Sequence, residues 1–160
     1  MKYKVSVERN TLRFSAAHFT TFQGQAEPLH GHNYALLVEV EGDLTDDAWV
    51  MDFADLKRIA EALCQQLDHR FLLPRDNPAL DITELDDAWQ IASRDGRYVI
   101  PKRDVCVLPL DNSTAERLAE WFCHRLAEAL AERGNITSIS VGVEEAPGQT
   151  AWCTLSLGNR

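Results

Sequence analysis

The sequence predicts an α+β fold in which an antiparallel sheet of four strands carries two helices on one face. Two observations predict it. Segments near both ends of the chain alternate apolar and polar residues with the period of a strand, and two segments between them repeat apolar residues at helical spacing. The chain has 160 residues, the usual size of one domain, so residues 1–160 are expected to form a single domain.

The first half of the predicted sheet comes from two long segments. Residues 3–17 alternate apolar with charged or polar side chains, which predicts a strand pair or one long bent strand. Residues 19–29 contain glycine and proline and show no period, so they are expected to form a loop. The apolar, β-prone run from Tyr34 to Val40 predicts the second long strand.

Both helices have recognisable starts. Asp52 is a good N-cap residue, and apolar side chains then recur at helical spacing from Phe53 to Leu67. Asn112-Ser113-Thr114 offers the same capping chemistry to a second helix, whose apolar stripe runs from Leu118 to Leu130. Gly134 is expected to stop it, because glycine is favoured just beyond a helix C-terminus.

Two more strands and an insertion complete the order. Residues 136–143 and 150–157 alternate as strands, with Pro147-Gly148 as the turn between them. Between the two helices, residues 81–107 are expected to form an insertion, in which Asp95-Gly96 predicts a hairpin turn.

Composition excludes several classes of partner. The formal net charge of −9 argues against a nucleic-acid or anionic-membrane surface, because both reward basic patches. No apolar run approaches the ~20 residues of a membrane span, and the start lacks the apolar region of a signal peptide. We therefore expect a cytoplasmic protein with neither nucleic acid nor membrane as partner. Its four cysteines form no C-x-x-C pair and are expected to be reduced.

Three histidines are candidate metal ligands. His30 and His32 are two residues apart at the start of a strand, so they point to the same face, and Gly31 puts no side chain between them. His18 ends the preceding strand, where antiparallel pairing places it opposite the pair. Three imidazoles with one open position are typical of catalytic zinc. An H-x-H pair alone is more often a surface or hydrogen-bonded pair than a set of metal ligands, and the third histidine strengthens the metal interpretation.

Three further positions carry ionisable groups with two interpretations each. Asp68-His69 follows a helix end. His69 is either a cation favoured there by the helix dipole, or a general acid or base whose ring is oriented by the Asp68 carboxylate. Glu27 lies three residues before His30 and is either a solvated loop carboxylate or a site residue. Glu145 shares the apolar face of its strand by alternation, so it needs a partner, such as a heterocycle with N–H donors.

Six short motifs occur in the order found in one enzyme family. They are Phe14-Ser15-Ala16-Ala17-His18, Leu29-His30-Gly31-His32-Asn33-Tyr34, Met51-Asp52-Phe53-Ala54-Asp55-Leu56-Lys57, Leu67-Asp68-His69-Arg70-Phe71-Leu72, Asn112-Ser113-Thr114-Ala115-Glu116 and Val143-Glu144-Glu145. Because of these motifs, the chain resembles the 6-pyruvoyltetrahydropterin synthase and 6-carboxytetrahydropterin synthase family. The resemblance covers most of the chain but not roughly residues 75–110.

The resemblance implies a fold, an assembly and a site. The fold is the tunnelling fold, whose subunits form trimers that stack into hexamers with active sites at subunit interfaces. A pterin is the implied small-molecule partner. The implied site residues are His18, His30 and His32 for zinc, Asp68 and His69 for proton transfer, Glu145 as the pterin anchor, and Thr114 close to the pterin pocket.

One departure from the family pattern bears on the reaction. The carboxy type would have a cysteine at position 26 and the pyruvoyl type at position 24, whereas this chain has Ala26 and Gly24. Its Glu27-x-x-His-Gly-His pattern resembles a subgroup in which glutamate replaces the cysteine. That subgroup is associated with cleaving the side chain of dihydroneopterin triphosphate to give 6-hydroxymethyl-dihydropterin, a folate precursor.

The expected activity is therefore that of a zinc-dependent carbon–carbon or carbon–oxygen lyase. Three alternatives remain. The first is a 6-carboxytetrahydropterin synthase of the queuosine pathway, with Glu27 replacing the cysteine chemically. The second is a family member with another substrate, since the insertion is a place where specificity changes. The third is a pterin-binding protein without catalysis.

Overall fold

The computed structural model describes residues 1–158, except for the side chains of residues 9 and 10. In chain order the elements are β1 (Tyr3–His18), β2 (Thr21–Phe22), β3 (Gln25–Ala26), β4 (His30–Gly42), α1 (Phe53–Leu67), β5 (Arg70–Pro74), β6 (Asp81–Glu84), β7 (Ala88–Ser93), β8 (Gly96–Pro101), a 3-10 turn (Lys102–Asp104), β9 (Val105–Leu108), α2 (Ala115–Ala129), β10 (Ile136–Ala146) and β11 (Gln149–Ser156). The predicted α+β class is confirmed. Neither helix of the described chain is long and apolar enough to cross a membrane.

The main sheet contains the four predicted antiparallel strands and two more. Its order is β11-β10-β4-β1-β5-β9, with β5 parallel to β1 and β9 parallel to β5. Residues 105–107, which the sequence assigned to the insertion, therefore belong to β9 of the main sheet. Short apolar runs such as Phe71-Leu72-Leu73 form buried strands without the alternation that marks a half-exposed one.

The pairing of β1 with β4 brings the histidines together. Residues 3–18 form one long strand, whose register shifts between Glu8 and Arg13. Beyond this irregularity His18 pairs with His30, and Ala16 pairs with His32. Because alternate residues of a strand share a face, all three imidazoles lie on the same side of the sheet.

Both helices begin where the capping residues predict. The Asp52 side chain accepts a hydrogen bond from the Ala54 N–H at 2.9 Å, and the Thr114 hydroxyl accepts one from the Arg117 N–H at 3.3 Å. The second helix ends at Ala129, before the expected glycine stop. The helices and the sheet share one large apolar core, which includes the stacked rings of Phe14 and Tyr34.

The insertion is a separate antiparallel sheet of β6, β7 and β8. Ser93 pairs with Gly96 across the hairpin turn, which confirms the turn predicted near Asp95-Gly96. This small sheet shares a second apolar cluster with the start of the loop that follows β1, where the rings of Phe19 and Tyr98 stack with centroids 5.5 Å apart. The insertion therefore packs beside the loop of residues 19–29.

Candidate metal and active site

Three histidine side chains converge at one end of the β1–β4 pair. His18, His30 and His32 each offer a ring nitrogen, and these nitrogens all lie within 4.8 Å of one another. The ring centroids are 4.8 Å apart for His18 and His30, 5.2 Å for His18 and His32, and 4.9 Å for His30 and His32. The register of β1 and β4 thus assembles the donor set that the sequence predicts.

Hydrogen bonds fix which nitrogen the rings of His18 and His30 present. Nδ1 of the buried His18 lies 2.9 Å from the Ser113 carbonyl oxygen, and Nδ1 of His30 lies 2.8 Å from the Pro28 carbonyl oxygen. A carbonyl only accepts, so both Nδ1 atoms carry the proton and both Nε2 atoms present a lone pair. Burial lowers the pKa of His18, which keeps it in the neutral form that binds metal. The donor set therefore fits a divalent ion such as zinc.

Glu145 points inward beside these nitrogens, as the alternation of β10 predicts. Its Oε1 lies 3.3 Å from Nε2 of His18 and 3.7 Å from Nε2 of His32. It also accepts a hydrogen bond at 3.3 Å from the hydroxyl of Tyr34, a fully buried side chain not predicted as a site residue. Burial and the nearby carboxylate raise the pKa of Tyr34, so this hydroxyl stays a neutral donor.

Glu27 lies at the end of the loop that follows β1, and its carboxylate is held by a single residue. Its Oε2 accepts hydrogen bonds from the Thr20 hydroxyl at 2.6 Å and the Thr20 N–H at 3.1 Å. These bonds, with the nearby imidazoles of His30 and His18, lower the pKa of Glu27. At neutral pH this residue is therefore a carboxylate close to the histidine cluster.

The side chains of Asp68 and His69 lie within ion-pair distance of each other, just after the end of α1. Asp68 Oδ1 accepts a hydrogen bond from the Ser15 N–H at 2.8 Å, which lowers the pKa of Asp68, and its Oδ2 lies 2.9 Å from Nδ1 of His69. His69 has a positive φ of 56°, a conformation uncommon for residues other than glycine. Its side chain is 81% exposed, so the ring is accessible to a substrate.

A groove of about 600 Å³ lies between His32 and His69. Its lining includes Leu29, His32, His69, Arg70, Phe71 and Ile100. This volume is typical of small-molecule sites, and its walls combine apolar side chains with a few polar ones, as such sites do. His32 of the histidine cluster and His69 therefore border the same open space.

Thr114 has a structural role that the sequence also predicts, because its hydroxyl caps α2. The two residues before it were interpreted as capping residues as well, but they contact the loop that follows β1. Asn112 binds the backbone of Thr21, and Ser113 contacts both Phe19 and His18. Local spacing gave no sign of these contacts, because the partners lie more than 90 residues away in the chain.

Comparison with known proteins identifies relatives of the whole chain. The family described as 6-pyruvoyl tetrahydropterin synthase matches residues 6–156. A Methanocaldococcus jannaschii protein provisionally named 6-carboxy-5,6,7,8-tetrahydropterin synthase is 34% identical over 143 residues, covering 88% of both chains. A dihydroneopterin monophosphate aldolase from Pyrococcus furiosus is 41% identical over 69 residues, covering 42% of this chain and 59% of the aldolase.

A solved structure gives the same fold over nearly the full length. The crystal structure of 6-pyruvoyl tetrahydropterin synthase from Plasmodium vivax superposes with a TM-score of 0.91 at 33% identity, covering 98% of this chain and 99% of that one. The match therefore includes the insertion, which lay outside the motifs that carried the resemblance. That Plasmodium vivax enzyme has also been solved with a catalytic glutamate replaced by alanine and by cysteine.

Proposed function

The chain belongs to the 6-pyruvoyl tetrahydropterin synthase family, and we propose that it is a zinc-dependent lyase that cleaves the side chain of 7,8-dihydroneopterin triphosphate. The product of this reaction would be 6-hydroxymethyl-7,8-dihydropterin. A homo-oligomer, trimer or hexamer, is part of the proposal, and it is supported by the position of β11 at an edge of the sheet, where a second copy can pair.

The position of Glu27 is the observation that carries the proposal. Its ionised carboxylate lies near His30 and His18, where it is fixed by Thr20. None of the four cysteines lies in this loop, since they occupy α1, β9, α2 and β11. The glutamate named as catalytic in the Plasmodium vivax enzyme supports a carboxylate in this role. The Pyrococcus furiosus aldolase supports carbon–carbon cleavage of a related dihydropterin substrate.

The proposed reaction is a retro-aldol cleavage, in which a base removes one proton and an acid returns one. Glu27 takes the proton from the hydroxyl on the second side-chain carbon, as a general base. The bond between the first and second carbons then breaks, the second carbon becomes an aldehyde, and the electron pair passes through the first carbon into the pterin ring. His69, oriented by Asp68, returns a proton to the first carbon. No oxidant or other co-reactant is needed.

The remaining residues bind and orient the substrate. Zinc on the three imidazoles would lower the pKa of the side-chain hydroxyls. Glu145 accepts hydrogen bonds from the ring N–H and amino groups of the pterin, which offer only donors at that edge. Arg70 lines the groove beside His69, so it is the cation assigned to the substrate phosphates.

A second candidate function is 6-carboxy-5,6,7,8-tetrahydropterin synthase. The name of the Methanocaldococcus jannaschii relative favours it, as does that of a 6-carboxy-5,6,7,8-tetrahydropterin synthase from Aquifex aeolicus, 30% identical over 158 residues. Both functions need the same metal centre and the same pterin anchor. They differ in which bond of the side chain breaks, so the product distinguishes them.

The test is a product assay on zinc-loaded protein with 7,8-dihydroneopterin triphosphate, analysed by chromatography and mass spectrometry. We expect 6-hydroxymethyl-7,8-dihydropterin, and 6-carboxytetrahydropterin would favour the second candidate instead. Unchanged substrate in the presence of bound zinc and bound pterin would indicate a binding protein without catalysis.

The glutamate is tested by Glu27→Gln, which keeps the shape and removes the base. We expect kcat to fall by about 10²- to 10⁴-fold, the usual contribution of a general base, with zinc content unchanged. Glu61→Gln on α1 is the matched control, because its ion pair with Lys57 is exposed and weak. Wild-type turnover in Glu27→Gln would overturn the assignment of Glu27.

A further inference from the structure

The loop between β1 and β4 carries the proposed base and joins two proposed metal ligands, yet it is largely irregular. His18 ends β1, Glu27 follows the two-residue hairpin of β2 and β3, and His30 begins β4. Glu27 is exposed, and its side-chain hydrogen bonds go to Thr20, which belongs to the same loop. The loop itself must therefore be held by the rest of the protein if the carboxylate is to keep its place.

Asn112 holds this loop from the segment that precedes α2. Its Oδ1 accepts a hydrogen bond from the Thr21 N–H at 3.1 Å, and its Nδ2 donates one to the Thr21 carbonyl at 2.9 Å. The side-chain amide thus satisfies both backbone groups of one residue, in the way a neighbouring strand would. Thr21 is bonded to Thr20, whose N–H and hydroxyl bind the Glu27 carboxylate, and Thr21 also pairs with Ala26 across the hairpin.

The next residue connects the same segment to the metal ligands. The Ser113 hydroxyl donates a hydrogen bond to the Phe19 carbonyl at 2.9 Å, and the Ser113 carbonyl accepts the Nδ1 proton of His18 at 2.9 Å. Ser113 is fully buried, so these contacts are shielded from water. Two consecutive residues therefore orient a histidine of the metal cluster and hold the loop that carries Glu27.

We propose that Asn112 is a positioning residue that fixes the Glu27 carboxylate relative to the metal cluster. The inference rests on the proposed function, in which Glu27 is the base. Asn112 acts through the backbone of Thr21 and has no assigned contact with substrate. A base displaced by about 1 Å loses on the order of 100-fold in rate. Removing the Asn112 amide therefore affects the chemical step more than substrate or zinc binding.

The test compares Asn112→Ala with Asn135→Ala. Asn135 is also half-buried, and its Nδ2 donates to the carbonyls of Asp43 and Val50, both at 2.8 Å. It lies beside Gly42 and Asp43 at the far end of β4. At the usual rise per residue of a strand, that end is about 40 Å from His30. Asn135→Ala loses these two hydrogen bonds, whereas Asn112→Ala loses its two bonds to Thr21 and the one that its Oδ1 accepts from the Ser113 N–H at 3.0 Å. The control therefore approximates the loss of stability and leaves the loop untouched.

We expect kcat of Asn112→Ala to fall by about 10- to 100-fold, with KM and zinc stoichiometry within about threefold of wild type. Asn135→Ala should keep kcat within about twofold at the same temperature. Thr20→Val, which removes the hydroxyl bond to Glu27 but keeps the side-chain shape, should lower kcat in the same direction. If Asn112→Ala does not fold, Asn112→Asp keeps the proposal testable, because it retains the acceptor oxygen but cannot donate to the Thr21 carbonyl and should also lower kcat.

A double-mutant cycle separates positioning from a general structural effect. If Asn112 acts through Glu27, Asn112→Ala should cause no further loss of kcat in a Glu27→Gln background. Wild-type kcat in Asn112→Ala, equal losses in Asn112→Ala and Asn135→Ala, or losses that simply multiply would each overturn the positioning role. Full activity of Glu27→Gln alone would instead overturn the proposed function, so the two failures are distinguishable.

Discussion

Gly31 separates two of the histidines proposed to bind zinc, and its substitution tests how tightly their geometry is held. A Cβ built on Gly31 would lie 3.0 Å from the carbonyl oxygen of Ala16, whereas an ordinary contact begins at 3.4 Å. The oxygen belongs to the backbone of β1, so the two strands must separate by about 0.4 Å to accommodate an alanine. His32 pairs with Ala16, so this separation occurs within the metal cluster.

The expected magnitude follows from the tolerance of metal coordination. Zinc–nitrogen distances are held within about 0.2 Å, so a separation of about 0.4 Å cannot be absorbed by the bonds alone. We expect Gly31→Ala to weaken zinc binding by about 10- to 100-fold, similar to the loss of a residue that orients a ligand. That factor corresponds to about 1.4 to 2.7 kcal/mol. The fold should lose at most about 1–2 kcal/mol, because the clash is partly offset by the lower entropy of the unfolded alanine chain.

Gly42→Ala is the matched control at the opposite end of β4. Its Cβ would overlap the carbonyl oxygen of Asn135, so we expect a larger loss of stability than for Gly31→Ala. Zinc affinity of the folded fraction should be unchanged. The measurements are competition with a chromophoric chelator for affinity and urea unfolding for stability. Wild-type zinc affinity in Gly31→Ala, or an equal loss in both variants, would refute the reasoning.

Two further predictions concern titratable groups outside the histidine cluster. A backbone N–H from β1 lowers the pKa of Asp68, so its stabilising contribution is present above the ordinary carboxyl pKa of about 4 and is lost as the pH falls through the lowered value. Urea unfolding from pH 6 to 3 should therefore show that wild type and Asp68→Asn become more similar in their free energy of unfolding as the pH falls. A difference between them that stays constant over this range would contradict the prediction. Burial raises the pKa of the Cys64 and Cys123 thiols to about 12, so iodoacetamide at pH 8 should leave them unmodified in the native protein and modify them in urea. Mass spectrometry should find any native labelling at the half-buried Cys106 and Cys153, and rapid native labelling of Cys64 would contradict the prediction.

Much of the histidine cluster was predictable because strand geometry is simple. The two-residue period places His30 and His32 on one face, and antiparallel pairing at the end of β1 brings His18 opposite them. The same period predicts that Glu145 points inward, and its carboxylate does lie beside the His18 ring. These inferences need only local spacing and one strand pairing, so the sequence contains enough information for them.

Other features depend on contacts that spacing does not encode. The strands β5 and β9 are short apolar runs, which periodicity alone does not distinguish from other buried segments. Asn112 has good capping chemistry, so its local context favours a helix start, whereas its amide binds the backbone of Thr21. A hydrogen bond between a side chain and a distant backbone leaves no periodic trace in either segment.

The same geometry explains why a cysteine one position earlier would not simply replace Glu27 in this chain. Successive residues of an extended segment point in opposite directions. Ala26 packs against the apolar cluster shared with the insertion, and its N–H donates to Asp95 at the tip of the β7–β8 hairpin. Glu27 instead turns back to Thr20, near His30. A thiol at position 26 would therefore face the insertion. The insertion packs beside the loop that carries Glu27, so the position of this glutamate and the packing of the insertion depend on each other.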